Sequence, residues 1–137
     1  MNPLPSFWQG VKEFNGQEFY ACHDTFEALW VEAPESDKAF YQGILQIAVG
    51  CYHLENYNWR GAVILLGEGV RKLCDYQPHH HGVDVERLVD ESAQLLRALQ
   101  QIEPESIEQF VQPLTSSGSH CTESDRNLHL PQIVSVA

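Results

Sequence analysis

Residues 36–55, SDKAFYQGILQIAVGCYHLE, carry a continuous helical pattern that indicates the fold class of the chain. Apolar and small residues recur there every three to four positions, which is the period of an α-helix. They cover more than one narrow stripe, so several sides of this helix are expected to be buried. Pro34 separates the stretch from the preceding segment, and Ser36 or Asp37 can cap its first turn. We therefore expect a central, deeply buried helix that runs to about Glu55.

The same period extends along the chain on both sides of this stretch. Asn15, Asn58 and Asp84 stand where a side chain can accept a hydrogen bond from the first turn of a helix. No segment shows the sustained alternation of strands. The further predicted helices cover residues 5–13, 15–33, 58–76, 84–102 and 104–113. These patterns predict an all-α fold, a compact antiparallel helical bundle of about four main helices plus short terminal helices.

The helical pattern stops near Pro113, where the composition of the chain changes. Residues 115–119 are polar and have no period, and the remainder to Ala137 is weakly patterned. We expect a single helical domain over residues 1–113 and a flexible C-terminal tail over residues 114–137.

Composition and charge exclude several classes of function. The chain has 137 residues, 43% of them hydrophobic, which is enough for one domain with a core. Its 19 acidic and 8 basic residues leave a formal net charge of −11, which repels nucleic-acid phosphates and anionic lipid surfaces. No apolar run reaches the length of a membrane span. We therefore expect partners other than nucleic acid or membrane.

The cysteines and the N-terminal residues bear on the compartment. The four cysteines include no Cys-x-x-Cys pair, so the usual zinc-ribbon and thioredoxin-like motifs are excluded. The N-terminal residues do not combine a basic stretch with an apolar one, so a cleaved secretion signal is not expected. We expect reduced cysteines in a cytoplasmic protein.

Polar side chains interrupt the apolar faces of two neighbouring helices. His23 and Glu27 are four residues apart, so they project from one face of the second helix. Gln42, Gln46 and His53 share one face of the central helix. If the two helices pack together, these two sets of side chains converge.

Such a cluster has two interpretations. It can be a buried polar network that fixes helix register, with every member hydrogen-bonded and Trp30 beside it. Alternatively, His23, Glu27 and His53 can bind a divalent metal ion (Zn, Fe or Mn) and leave one position open for water, as catalytic metal sites require. Neither His-Glu-x-x-His nor a repeated Glu-x-x-His is present.

A run of three histidines, His79 to His81, precedes Gly82 in a predicted loop. Three adjacent side chains cannot easily share one coordination shell. We expect this run to be solvated and to bind metal only adventitiously.

Three motifs resemble those of domain-of-unknown-function family 309. The first is FN-x-x-EFY-x-CHD-x-FE-x-x-W over residues 14–30, the second is FYQGILQIA over residues 40–48 followed by Tyr52-His53, and the third is N-x-x-GA over residues 58–62. The resemblance covers residues 14 to about 76. It implies a small all-α bundle of a family found in bacteria, archaea and plastids, with a cyanobacterial character.

The resemblance also implies a site, because the family has been labelled a predicted metal-dependent hydrolase. Asp24 stands where the family commonly has Glu, and the shorter side chain weakens its assignment as a required ligand. As a catalytic residue, Asp24 would be the general base if it reached a metal-bound water. The positions that correspond to the family's His, acidic and Gln positions are His23, Asp24, Glu27, Gln42, Gln46 and His53.

Two hypotheses for function follow from the sequence. The first is a non-catalytic structural or protein-interaction module, which acts through a protein partner or as a homodimer and holds a structural His23–Glu27–His53 network. The alternative is a metal-dependent hydrolase in which the same three residues are the metal ligands.

Overall fold

The computed structural model describes residues 5–115 and 128–136, and α-helices make up most of them. The helices are α1 Pro5–Asn15, α2 Phe19–Glu32, α3 Glu35–Glu55, α4 Trp59–Leu73, α5 Val85–Gln100 and α6 Ile107–Thr115. Short 3₁₀ turns, Cys74–Tyr76 and Pro104–Ser106, follow α4 and precede α6. Two-residue strands, β1 His79–His80 and β2 Val83–Asp84, pair antiparallel between α4 and α5. The predicted all-α fold class is confirmed.

Helix α3 lies at the centre of the molecule. It packs against α2 and α4, α1 packs against α2, and α5 packs against α4. Phe7 of α1 also reaches α3, where its ring stacks on Phe40. Full burial of a Leu, Ile or Phe side chain contributes about 1.5–3 kcal/mol to the stability of the fold. A helix with apolar residues on several faces is therefore stable only when neighbouring helices enclose it. The fully buried large side chains of α3 are Phe40, Ile44, Ile47 and Leu54.

Two of the four predicted helix caps, those at Asn58 and Asp84, are confirmed. The Asn58 side chain accepts a hydrogen bond from the Gly61 amide at 3.0 Å, and the Asp84 side chain accepts one from the Arg87 amide at 3.0 Å. Both bonds satisfy amides that have no partner within the helix.

The predicted cap at Asn15 is wrong. Asn15 is the last residue of α1, and α2 begins only at Phe19. Its side chain bonds instead to the backbone of Ile133. A local cap signal was thus overridden by a tertiary contact. The predicted cap of α3 at Ser36 or Asp37 is also wrong, because α3 begins at Glu35, directly after Pro34, and has no side-chain cap.

Residues 128–136 pack against the helices, which differs from the flexible tail expected for residues 114–137. Leu130 and Ile133 are buried, and the Val134 carbonyl accepts a hydrogen bond from the Asp84 amide at 2.8 Å. Ser135 forms an isolated β-bridge with Val83 of β2, which together with β1 makes up the hairpin between α4 and α5. Residues 116–127 and 137 of the expected tail lie outside the described residues.

No helix within residues 5–115 and 128–136 is both long enough and apolar enough to cross a membrane.

Candidate functional site

Helix α2 presents His23, Asp24 and Glu27 together. Each offers a ligand atom, and these atoms all lie within 4.8 Å of one another. His23 Nδ1 is 3.2 Å from Asp24 Oδ1. The set is not buried: the Asp24 side chain is 64% exposed, and Glu27 is exposed as well. The structure therefore differs from the expected buried network, because α2 uses another face for the core, formed by Phe19, Cys22, Phe26 and Leu29.

A pocket of about 180 Å³ opens beside this set, between α2 and α3. Two exposed rings flank it: Tyr20 is 64% exposed and Tyr52 is 38% exposed, and their centroids are 5.7 Å apart. His23 and His53 come from the two different helices and line the same pocket. Its lining residues are Phe19, Tyr20, His23, Val49, Tyr52 and His53.

His53 is placed in the pocket wall by its neighbours on the α3–α4 connection. Asn58 Nδ2 donates a hydrogen bond to His53 Nδ1 over 3.2 Å. Among the described residues, His53 does not join the group of ligand atoms that contains His23 and Glu27 within 4.8 Å. The two predicted histidines thus share a pocket, but the structure does not bring them to a common ligand distance.

The predicted glutamines and Trp30 lie elsewhere. Gln46 is buried and points toward α4, where its Nε2 donates to Glu68 Oε1 at 3.1 Å. Gln42 is half-buried on α3. Lys38 Nζ donates to the Trp30 carbonyl at 2.8 Å and lies 5.5 Å from the centroid of the Trp30 ring. The side chains that were expected to converge therefore make separate contacts: Gln46 with Glu68, Trp30 with Lys38, and His23 with Asp24.

A second group of ligand atoms joins the start of α3 to the hairpin. His80 Nε2 lies 2.9 Å from Asp37 Oδ1, and His81 Nε2 lies 3.0 Å from Asp37 Oδ2. The expectation of a solvated histidine run is wrong for His80 and His81, although His79 is exposed. Successive side chains of β1 point to opposite faces, so His79 and His80 diverge. His81 then adopts a positive φ of 49°, and its ring comes back to the side of His80.

The two histidines change the acidity of Asp37. Burial by itself acts to raise the pKa of this carboxyl, but hydrogen bonds from His80 and His81 and their charges outweigh it, so the pKa is lowered. Sequence reasoning missed this group because Asp37 was interpreted only as a possible helix cap, a role that it does not have in the structure. The available signal was a pair of adjacent histidines at a turn that ends in glycine.

Comparisons with known proteins locate the family resemblance. Residues 7–65 match the family model described as "Domain of unknown function (DUF309)". A Bacillus subtilis (strain 168) protein, "Uncharacterized protein YpuF", is 32% identical over 69 residues. That match spans 50% of this chain and 38% of the relative, so the chain covers well under two thirds of the relative's length. No solved structure matches the chain. The resemblance drawn from the three motifs is confirmed, and the matched residues extend from α1 into α4.

Proposed function

We propose that the protein is a non-catalytic interaction module that receives an apolar side chain of a partner protein in the pocket between α2 and α3. The observation that carries this proposal is the pair of neighbouring exposed rings, Tyr20 and Tyr52, that line an apolar pocket. Tyrosine gives a large, rigid contact area at low entropic cost and is enriched where proteins bind one another.

The size of the pocket favours one side chain over a metabolite. Pockets for small molecules are typically about 300–1,000 Å³. The volume here, about 180 Å³, is smaller than that range. A large aliphatic or aromatic residue of a partner is therefore the occupant that fits best.

Charge beside the pocket indicates which residues should flank the apolar side chain in the partner protein. Asp24 and Glu27 lie next to His23 at the pocket, and the whole chain carries a net charge of −11. A partner segment with Lys or Arg beside its apolar residue would complement these carboxylates. A second copy of this chain would bring the same acidic side chains against them, so a different protein is favoured over a homodimer.

The test uses a peptide with one phenylalanine between lysines, titrated into ¹⁵N-labelled protein. We expect amide shifts confined to residues around the pocket, and Tyr20→Ala should weaken binding at least about tenfold, the loss of roughly 1.4 kcal/mol of contact energy. Tyr57→Ala is the matched control, because Tyr57 is exposed but does not line the pocket. Shifts that are unaffected by Tyr20→Ala, or self-association that Tyr20→Ala abolishes, would overturn the heterologous interaction.

A second candidate is the metal-dependent hydrolase, and a specific observation favours it. One imidazole and two carboxylates within 4.8 Å on α2 form a donor set suited to Zn, Fe or Mn, and the pocket lies beside it. His23, Asp24 and Glu27 would hold the ion, which would supply an activated water or polarise a substrate carbonyl. If Asp24 binds the ion, its carboxylate is not available as the general base that the sequence analysis predicted. His53 would line the substrate side.

Measurement of bound metal tests the hydrolase candidate once the second group of possible ligands, Asp37 with His80 and His81, has been disabled by substitution. In a His80→Gln/His81→Gln background, near-stoichiometric Zn, Fe or Mn that disappears with His23→Ala would support the hydrolase. A well-folded protein that takes up none of these ions on titration would contradict it.

We also infer a cytoplasmic location. Cys22 and Cys51 are buried and unpaired, and the exposed Cys74 is a free thiol. Reducing compartments maintain such thiols. Cell fractionation with antibody detection would test this, and recovery only from an oxidising compartment would contradict it.

A further inference from the structure

We propose that Asp37, His80 and His81 form a binding site for a divalent transition-metal ion of the zinc type. Each histidine meets a different oxygen of the same carboxylate, at 2.9 and 3.0 Å. One ligand atom from each of the three residues lies within 4.8 Å of the other two. This site is independent of the pocket between α2 and α3, because it shares no residue with it.

The fold builds the site from parts that are distant along the chain. Asp37 lies in the first turn of α3, and His80 and His81 are 43 and 44 residues further on. The turn after β1 has two consecutive positive φ angles, 49° at His81 and 79° at Gly82. This turn places two adjacent imidazoles on one side, which an extended strand would not allow.

The donor set matches the chemistry of zinc. Two imidazole nitrogens and one carboxylate are the protein ligands of many catalytic zinc sites, and they leave a fourth position open. Tetrahedral zinc holds its ligands at about 2.0–2.2 Å, which places ligand atoms about 3.3 Å from one another. The nitrogen–oxygen separations of 2.9 and 3.0 Å are within a few tenths of an ångström of that spacing. Binding would require both rings to turn from the carboxylate oxygens toward a common ion, with each Nε2 free of its proton.

The surroundings hold the ligands in place and keep one side accessible. The Asp37 side chain is 15% exposed, whereas those of His80 and His81 are 29% and 23% exposed. Tyr41 stacks on the His81 ring at an interplanar angle of 16°, and Phe40 meets the His80 ring edge-on with centroids 4.7 Å apart. Packed rings of this kind fix ligand orientation, as the outer shell of a metal site does.

The competing explanation is a metal-free clamp in which both imidazoles donate hydrogen bonds to the carboxylate. Such a clamp would tie the hairpin to α3 by itself. The two explanations differ in what happens when metal is added, because only a metal site releases protons and gains affinity from all three residues together.

The test is calorimetric titration of the untagged full chain with ZnCl₂, together with a Co²⁺ titration followed by visible absorption. We expect one site with three-ligand dependence: Asp37→Asn and the double variant His80→Gln/His81→Gln should each weaken binding at least about 100-fold. His79→Gln is the matched control and should bind as the natural chain does. His23→Ala should also retain this site.

Three results would overturn the proposal. One is Zn²⁺ binding by the natural chain no tighter than by the double variant. Another is an equal loss on His79→Gln, which would make the histidine run an adventitious binder only. A third is loss of the site on His23→Ala, which would assign the metal to α2. Circular dichroism confirms folding of each variant, and His81→Gln alone serves if Asp37→Asn does not fold.

Discussion

Asn15 and Ile133 exchange two hydrogen bonds although 118 residues separate them. Asn15 Nδ2 donates to the Ile133 carbonyl at 2.8 Å, and the Ile133 amide donates to Asn15 Oδ1 at 2.8 Å. The side chain thus pairs with the backbone as a neighbouring strand would. It satisfies two part-buried backbone groups and attaches residues 128–136 to the end of α1.

Asn15→Ala should therefore destabilise the protein. Each lost hydrogen bond costs about 0.5–1.5 kcal/mol, so we expect a decrease of about 1–3 kcal/mol in the free energy of unfolding, measured by urea denaturation. Asn56→Ala is the control, since the Asn56 side chain makes an exposed bond to the Tyr52 carbonyl, and its loss should cost under about 0.5 kcal/mol. Equal stability of the two variants would mean that the Asn15–Ile133 pair contributes nothing.

Two glycines on α4 should respond to alanine in opposite directions. A Cβ on Gly69 would lie 2.8 Å from the Gly43 carbonyl oxygen, and this backbone atom of α3 cannot move cheaply. Gly69→Ala should cost about 1–3 kcal/mol through overpacking. A Cβ on Gly67 would meet only Leu96 at 3.8 Å, so Gly67→Ala should stabilise by about 0.5–1 kcal/mol through helix propensity. Thermal and urea unfolding would measure both, and a destabilised Gly67→Ala would contradict the expectation.

The described thiols should differ sharply in reactivity. Burial, with a smaller contribution from Glu13, raises the pKa of Cys22 to about 12, and burial also raises the pKa of Cys51. The thiolate is the reactive form, so neither should react in the folded protein near neutral pH, whereas the exposed Cys74 should. With Cys121→Ser as background, a thiol reagent should label one cysteine rapidly in buffer and three in denaturant. Rapid labelling that persists in Cys74→Ser would contradict this.

The Trp59 indole connects the start of α4 to the end of α5. Its Nε1 donates to the Leu99 carbonyl at 2.9 Å. Trp59→Phe keeps an aromatic ring but removes the donor, so we expect a loss of about 1 kcal/mol in the free energy of unfolding. Urea denaturation would measure it. Unchanged stability would show that water replaces the indole without cost.

The elements that could be predicted from sequence depend on neighbours within a few residues. Helical period and the caps at Asn58 and Asp84 are local, because each cap bonds an amide three residues away. The proximity of His23 and Glu27 was predictable for the same reason, since one turn of helix brings them together. Their exposure was not, because the same helix carries enough apolar residues to bury a different face.

The sequence by itself determined the all-α class, the central burial of α3 and the acidic surface, since these follow from periodicity, hydrophobicity and charge. Only the tertiary structure decided that Gln46 pairs with Glu68, that Asn15 binds Ile133, and that Asp37 meets two histidines of the hairpin. These pairs are separated by 22, 118 and 43 residues. Contacts over such distances depend on how whole helices pack and on the φ angles of one turn. No periodicity or spacing in the sequence predicts these long-range contacts.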